Sequence, residues 1–161
     1  MLWHYTTRQS AESIIEWGEI RQATLYLFSG ERPAVWFSAD QTFEATATKG
    51  GLNRADTHKC FGLVRFGVLP ETAPHDFRAF SELSGYPPSR LGRMKRAGAQ
   101  MGASHYDWFV SFDPVPREAW QRIEQWDGQR WLDYSTDSQC YIPATNGLIS
   151  GDAVRRRLCS A

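Results

Sequence analysis

The sequence opens with LWHYTT at residues 2–7, an apolar start that runs directly into a histidine, a tyrosine and two threonines. Two interpretations fit this stretch. It is either the first strand of a sheet, with the His4 ring bonded to a backbone carbonyl, or a strand whose His4 and Tyr5 side chains line a ligand pocket. The first interpretation requires hydrogen-bond partners for His4 elsewhere in the chain, and the second requires other residues that complete a ligand cleft.

Downstream of LWHYTT, apolar patterns and turn residues predict an α+β order of elements rather than a strict alternation. Ser10 suits the N-cap of a helix that Gly18 would end. Asp127-Gly128 predicts a hairpin in which Trp126 and Trp131 are cross-strand neighbours. Further strands are expected in PAVWFSAD (33–40), CFGLVRFGVLP (60–70) and DWFVSFDPVP (107–116), helices in PSRLGRMKRAGAQMGA (88–103), FEATATKG (43–50) and DAVRRRL (152–158), and a strand or loop in CYIPATNGLISG (140–151).

Length and composition predict a single domain over residues 1–161, because this length suits one hydrophobic core. Eighteen basic and eighteen acidic side chains cancel, so no overall field would draw the protein to nucleic acid or to an anionic membrane. No signal peptide and no apolar run of ~20 residues is seen, and the three cysteines are odd in number. We therefore expect a cytoplasmic protein with no membrane partner and, since His58–Cys60 has no second ligand pair, no metal.

Three separated motifs have an order that resembles the ADP-ribosyltransferase-like superfamily. They are LWHYTT with the following SIIEWGEI (13–20), VWFSAD (35–40), and YDWFVSFDPVPREAW (106–120). Within the superfamily they are similar to the DNA-modifying toxins of the DarT type and to the tRNA 2′-phosphotransferases. The resemblance is clearest over residues 1–125, and ERPAVWFS (31–38) resembles small bacterial and phage proteins.

The resemblance implies two small antiparallel sheets with flanking helices and, between the sheets, a cleft that holds NAD as substrate. It implies that His4 bonds the ribose on the adenine side and that Ser38 supports the nicotinamide ribose. An aromatic side chain would stack on nicotinamide, and Asp107 would be the catalytic acid. The cofactor-binding residues expected on this basis are His4, Tyr5, Thr6, Trp36, Ser38 and Phe43.

The acid departs from the superfamily pattern, which usually has a glutamate. Asp107 is one methylene shorter, and a misplacement of ~1 Å can lower a rate by about 100-fold. Glu118, Asp113 or Gln139 are alternatives for this role. A phosphotransferase would instead need arginines around a phosphate, and Arg8, Arg21, Arg54 and Arg65 are available for that.

The function expected from the resemblance is NAD-dependent ADP-ribosyl transfer to a nucleic acid or protein acceptor, or NAD glycohydrolysis. A fixed carboxylate near the ribose would stabilise the positive charge that grows as nicotinamide leaves. The alternative is a protein of the same fold that binds a nucleotide or a partner through its tryptophans without catalysis.

Overall fold

A computed structural model describes residues 1–49 and 52–135 of the chain, and these contain nine β-strands and four α-helices. The strands are β1 (Leu2–Thr6), β2 (Glu19–Ile20), β3 (Val35–Ser38), β4 (Val64–Val68), β5 (His75–Asp76), β6 (Trp108–Ser111), β7 (Val115–Pro116), β8 (Trp120–Trp126) and β9 (Trp131–Asp133). The helices are α1 (Arg8–Trp17), α2 (Arg54–Phe61), α3 (Phe77–Leu83) and α4 (Pro88–Gln100). The α+β class predicted from the sequence is confirmed.

Seven strands form one antiparallel sheet in the order β5-β6-β3-β1-β4-β8-β9, and β2 and β7 form a second, two-stranded sheet. The strands are therefore divided unequally, seven against two, whereas we expected a split pair of small antiparallel sheets. The strand that carries His4 lies at the centre of the large sheet, between β3 and β4. β1 therefore has a neighbouring strand on each side.

Helices cover both faces of the large sheet, as the alternation along β3 shows. Val35 and Phe37 pack into one apolar cluster, while Trp36 between them packs against a second, since successive strand residues point to opposite faces. The first cluster includes Ala11 and Ile14 of α1. The second includes side chains of α3 and α4, namely Phe77, Phe80 and Leu91.

The first helix begins earlier than the sequence suggested. Thr7 is its N-cap, and the Thr7 hydroxyl accepts a hydrogen bond from the backbone N–H of Ser10 at 3.3 Å. The expected N-cap at Ser10 is therefore wrong, because the last residue of LWHYTT already fills that role. The predicted end at Gly18 is confirmed, with φ of 74°, a left-handed conformation that glycine adopts without steric cost.

Other elements agree with the patterns to different degrees. The hairpin at Asp127-Gly128 is confirmed, with Trp126 paired to Trp131 and their ring centroids 5.3 Å apart. FEATATKG forms only a short 3-10 helix at Ala45–Ala47. The expectations for residues 140–151 and 152–158 lie outside the described residues. Within the described ranges, no helix has both the length and the apolar composition needed to cross a bilayer.

Candidate functional site

A cavity of about 550 Å³ lies between the large sheet and α4, a volume within the range of roughly 300–1,000 Å³ usual for small-molecule sites. Its walls come from β1, β3 and the start of β6 on one side and from α4 on the other. Residues 44–49, which follow β3, contribute a third wall. Gly98 lets α4 approach closely, because a Cβ atom there would lie 2.6 Å from the Trp108 ring.

His4 is both structural and part of the cavity wall, so neither interpretation of LWHYTT is complete. β1 pairs with β3 at a single position, Trp3 with Ser38, and beyond it the His4 ring nitrogen Nδ1 lies 2.9 Å from the Trp36 carbonyl oxygen. A carbonyl oxygen only accepts, so Nδ1 carries the proton. Burial lowers the pKa of His4, an effect that outweighs this hydrogen bond and is reinforced by the positive charge of Lys49.

The neutral His4 ring therefore has a bare Nε2, which is a hydrogen-bond acceptor. Among the described residues the structure records no hydrogen bond to this nitrogen. An acceptor on a cavity wall suits a ligand hydroxyl, and a ribose offers two. His4 therefore offers a hydrogen-bond acceptor at the cavity wall, and its ring is also bonded to the backbone of β3.

Glu44 is the cavity's buried carboxylate, and the sequence analysis missed it. Its Oε2 accepts a hydrogen bond from the Ser38 hydroxyl at 2.8 Å, and its Oε1 accepts from the Thr46 hydroxyl at 2.6 Å and the Thr46 backbone N–H at 3.1 Å. These donors fix the carboxylate in place. None of them is a cation, and within the described ranges Glu44 has no ion-pair partner.

Aromatic side chains supply much of the remaining wall. Tyr5 and Trp36, two of the predicted residues, line the cavity together with Trp3 and Trp108. Trp108 is almost fully buried, and its indole N–H has no acceptor among the residues that the structure describes. Large aromatic surfaces around a few polar groups are typical of sites for flat ligands.

On the side of Trp3 away from the cavity, the side chain of Arg65 is packed among aromatic rings. The Arg65 guanidinium lies 3.8 Å from the centroid of Trp3 and 4.3 Å from that of Trp131, between the two rings. It also bonds the Glu124 carboxylate at 2.6 Å and the Tyr5 hydroxyl at 3.3 Å. Burial raises the pKa of Tyr5 to about 12 even though Arg65 acts in the opposite direction, so the phenol stays protonated at neutral pH.

The remaining predicted residues do not line this cavity. Asp107 lies in a short 3-10 helix before β6, where its backbone carbonyl accepts from the Ala39 N–H at 2.8 Å. It directly precedes Trp108, which does line the cavity. Thr6 is buried at the end of β1, paired with Val64. Phe43 packs edge-on against Tyr5 with 5.8 Å between ring centroids.

The four arginines proposed for a phosphate site are not gathered at the cavity. Arg65 is paired with Glu124, Arg8 with Glu12 and Arg21 with Glu19, and Arg54 lies over the Trp126 ring at 4.0 Å. The cation that does border the cavity is Lys49, which is exposed. Across residues 1–49 and 52–135 there is also no group of three His, Cys, Asp or Glu side chains able to hold a metal ion.

Ser38 was predicted, but the reason for its burial was not visible in the sequence. Its hydroxyl donates to Glu44 and accepts from the Asp40 backbone N–H at 3.1 Å, so it both turns the chain and holds the carboxylate. The one signal for Glu44 was an acid between apolar neighbours shortly after a strand. No family model, curated protein or solved structure matches the chain, and the superfamily resemblance stays a prediction.

Proposed function

We propose that this protein binds NAD in the cavity and cleaves its nicotinamide–ribose bond, transferring ADP-ribose to a nucleic acid or protein acceptor or to water. The observation that carries the proposal is the combination, in one cavity, of a neutral imidazole acceptor at His4, a buried carboxylate at Glu44 and aromatic walls. The fold proposed with it is ADP-ribosyltransferase-like. In support of this, β1 and β3 of this chain are paired at a single position and diverge beyond it.

In this reaction the bond between the ribose C1′ and the pyridinium nitrogen breaks, and its electron pair goes to the ring. Neutral nicotinamide leaves, and an oxygen or nitrogen nucleophile bonds to C1′ and loses its proton. The carbon passes through an oxocarbenium-like state, so a fixed negative charge close to it lowers the barrier. Trp36 and Tyr5 would hold the flat leaving ring, and Lys49 would face the phosphates.

Two carboxylates are candidates for stabilising this charge, and their surroundings differ. Glu44 lines the cavity, and three donors hold it in place before any ligand binds. Asp107, the acid implied by the resemblance, lies one residue outside the lining. We assign the charge-stabilising role to Glu44 because preorganised charge stabilises a transition state best when it already faces the reacting atom.

The test is to incubate the purified chain with NAD and to measure bound dinucleotide by calorimetry and released nicotinamide by chromatography. We expect slow nicotinamide release that Glu44→Gln reduces by at least about 100-fold, whereas NAD affinity should fall by only about tenfold, since the attraction to the bound cation becomes stronger as positive charge develops at C1′ in the transition state. Asp107→Asn is the matched control and should retain release within about threefold.

The outcomes separate the alternatives. If Asp107→Asn abolishes release and Glu44→Gln does not, the acid implied by the resemblance is the right one. Binding without any release would favour the non-catalytic nucleotide-binding protein. If neither binding nor release occurs at millimolar NAD, the proposal is wrong for this chain.

A further inference from the structure

Two charged side chains line the cavity, the Glu44 carboxylate and the Lys49 ammonium, and of the two only the carboxylate is buried. Glu44 is 8% exposed, and among residues 1–49 and 52–135 its carboxylate accepts hydrogen bonds only from hydroxyls and a backbone N–H. The other charged side chain on the wall, Lys49, is exposed, and no ion pair is recorded for it among the described residues. His4 adds no positive charge at neutral pH, because burial lowers its pKa.

The aromatic walls add to this preference. Trp3, Tyr5, Trp36 and Trp108 all line the cavity, and the negative face of an aromatic ring attracts organic cations. Trp3 shows the effect within the protein, since its ring already holds the Arg65 guanidinium at 3.8 Å. A carboxylate among aromatic rings is thus suited to a cation that is itself flat and weakly hydrated.

We propose that the cavity selects its ligand by positive charge, binding an aromatic cation such as the pyridinium ring of NAD⁺ and discriminating against uncharged rings of the same shape. Glu44 is the residue that sets this specificity. The identity of the dinucleotide rests on the proposed function, but the charge selectivity does not, because it follows from the cavity alone.

The selectivity has two consequences for the proposed reaction. The dihydronicotinamide ring of NADH is neutral, so the cavity would distinguish the oxidised from the reduced dinucleotide although the two differ little in size. Cleavage also converts the bound pyridinium into neutral nicotinamide. The nicotinamide ring is then no longer attracted to Glu44, which favours its release from the cavity.

The test uses two small probes of nearly equal size, the cation 1-methylnicotinamide and neutral nicotinamide, titrated into the purified chain. We expect the cation to bind at least about tenfold more tightly, since a unit charge near a partly buried carboxylate is attracted by more than the 1.4 kcal/mol that this ratio represents. Equal affinity of the two probes for the parent protein would overturn the proposal.

Glu44→Gln should bring the two affinities within about threefold of each other, because it removes the charge and keeps the shape. The Ser38 hydroxyl can accept from the new amide while the amide oxygen still accepts from Thr46, so the shape of the wall is kept and only the Ser38 O–H loses its acceptor. Glu16→Gln makes the same chemical change at an exposed position of α1 and should keep the parent's ratio. A ratio that survives Glu44→Gln would overturn the assignment to Glu44.

A second variant covers the case in which Glu44→Gln does not fold. Lys49→Met removes the positive charge beside the cavity and should increase the preference for 1-methylnicotinamide by about twofold or more; an unchanged or reduced preference would count against a charge-selective cavity. Failure of the two proposals is distinguishable. Cation preference without nicotinamide release from NAD contradicts only the proposed function, and release without cation preference contradicts only this inference.

Discussion

Glu44 and Glu124 are buried to nearly the same extent, 8% and 5% exposed, yet their surroundings are opposite. Glu124 meets the Arg65 guanidinium through hydrogen bonds of 2.6 and 2.7 Å, and Arg65 is itself enclosed by Trp3 and Trp131. In the part of the chain that the structure describes, Glu44 is held only by Ser38 and Thr46. One charge is neutralised within the protein and the other is not.

The difference indicates what each carboxylate is for. A buried charge that is paired and hydrogen bonded is part of the scaffold, and removing its partner leaves an uncompensated charge in the interior. A buried carboxylate that is fixed by neutral donors and borders a cavity keeps its field available to a ligand. Trp3 separates the two regions, with Arg65 over its ring and the cavity beside it.

The largest expected effect is on the paired side. Glu124→Gln leaves the Arg65 guanidinium buried without a counter-charge, and we expect the free energy of unfolding to fall by about 3–5 kcal/mol. Urea unfolding followed by tryptophan fluorescence measures this loss. The variant should still show the parent's probe selectivity under conditions where it is folded, because Glu124 does not line the cavity.

The same substitution at Glu44 tests the comparison between the two carboxylates. Glu44→Gln should lower the free energy of unfolding by only about 1–2 kcal/mol, since no buried cation loses its partner and only the Ser38 hydroxyl loses an acceptor. Equal losses for the two variants would mean that Glu44 is also structural. The comparison would then give no reason to assign Glu44 to a ligand.

Much of this arrangement could be predicted from local signals. The Trp126–Trp131 hairpin follows from Asp-Gly between two aromatic runs, and the end of α1 follows from Gly18, because turn and cap residues act within a few positions. The polar side chains of LWHYTT also favoured a pocket lined by His4 and Tyr5, although the residues on the other walls were not known. Of the predicted binding residues, His4, Tyr5, Trp36 and Ser38 line one cavity, whereas Thr6 and Phe43 do not.

The ion-pair partners of the charged side chains could not be predicted from local signals, because the two members of a pair are distant in sequence. Arg65 meets Glu124 across 59 residues and Tyr5 across 60, so nothing near Arg65 showed that it was already paired. FEATATKG looked like a weak helix, and only the fold shows that Glu44 turns back onto Ser38. The sequence therefore indicated which strands hold the site but not which acid lies inside it.

A smaller effect than that of Glu124→Gln is expected at the opposite wall of the cavity. The Cβ atom of Gly98→Ala would lie 2.6 Å from the Trp108 ring, so α4 or the ring must move, and such overpacking usually lowers stability by about 1–3 kcal/mol. Gly102→Ala is not a matched control because its φ is 86°, whereas Ala99→Gly alters the same helix at an exposed position.

Thermal unfolding and 1-methylnicotinamide titration together decide this prediction. Gly98→Ala should both lower the melting temperature and weaken the probe, because the wall that moves is shared by core and cavity. Ala99→Gly should lower the melting temperature alone, through the lower helix propensity of glycine. A Gly98→Ala protein with unchanged stability and binding would show that α4 is not held against Trp108 as described.

The smallest effect tests whether the cavity contains a positive charge of its own. Burial lowers the folded-state pKa of His4 below its usual 6.5, so between the two values the unfolded chain binds more protons than the folded one. Stability should then be fully present above about pH 6.5 and should fall as the pH decreases below it, by at most ~1.4 kcal/mol per pH unit for one group. His58, whose pKa is also lowered by burial, contributes in the same direction.

His4→Asn separates the two histidines, since an asparagine amide can still donate to the Trp36 carbonyl but does not titrate in this range. Urea unfolding at pH 7.5, 6.5 and 5.5 should show a shallower loss for His4→Asn than for the parent, and His58→Asn should also make the loss shallower. If His4→Asn instead leaves the slope unchanged, or the parent gains stability on acidification, then the folded protein accepts a positive charge on His4 at least as readily as the unfolded chain does. That charge would lie on the same cavity wall as Glu44, and the contrast with the Arg65–Glu124 pair would no longer hold.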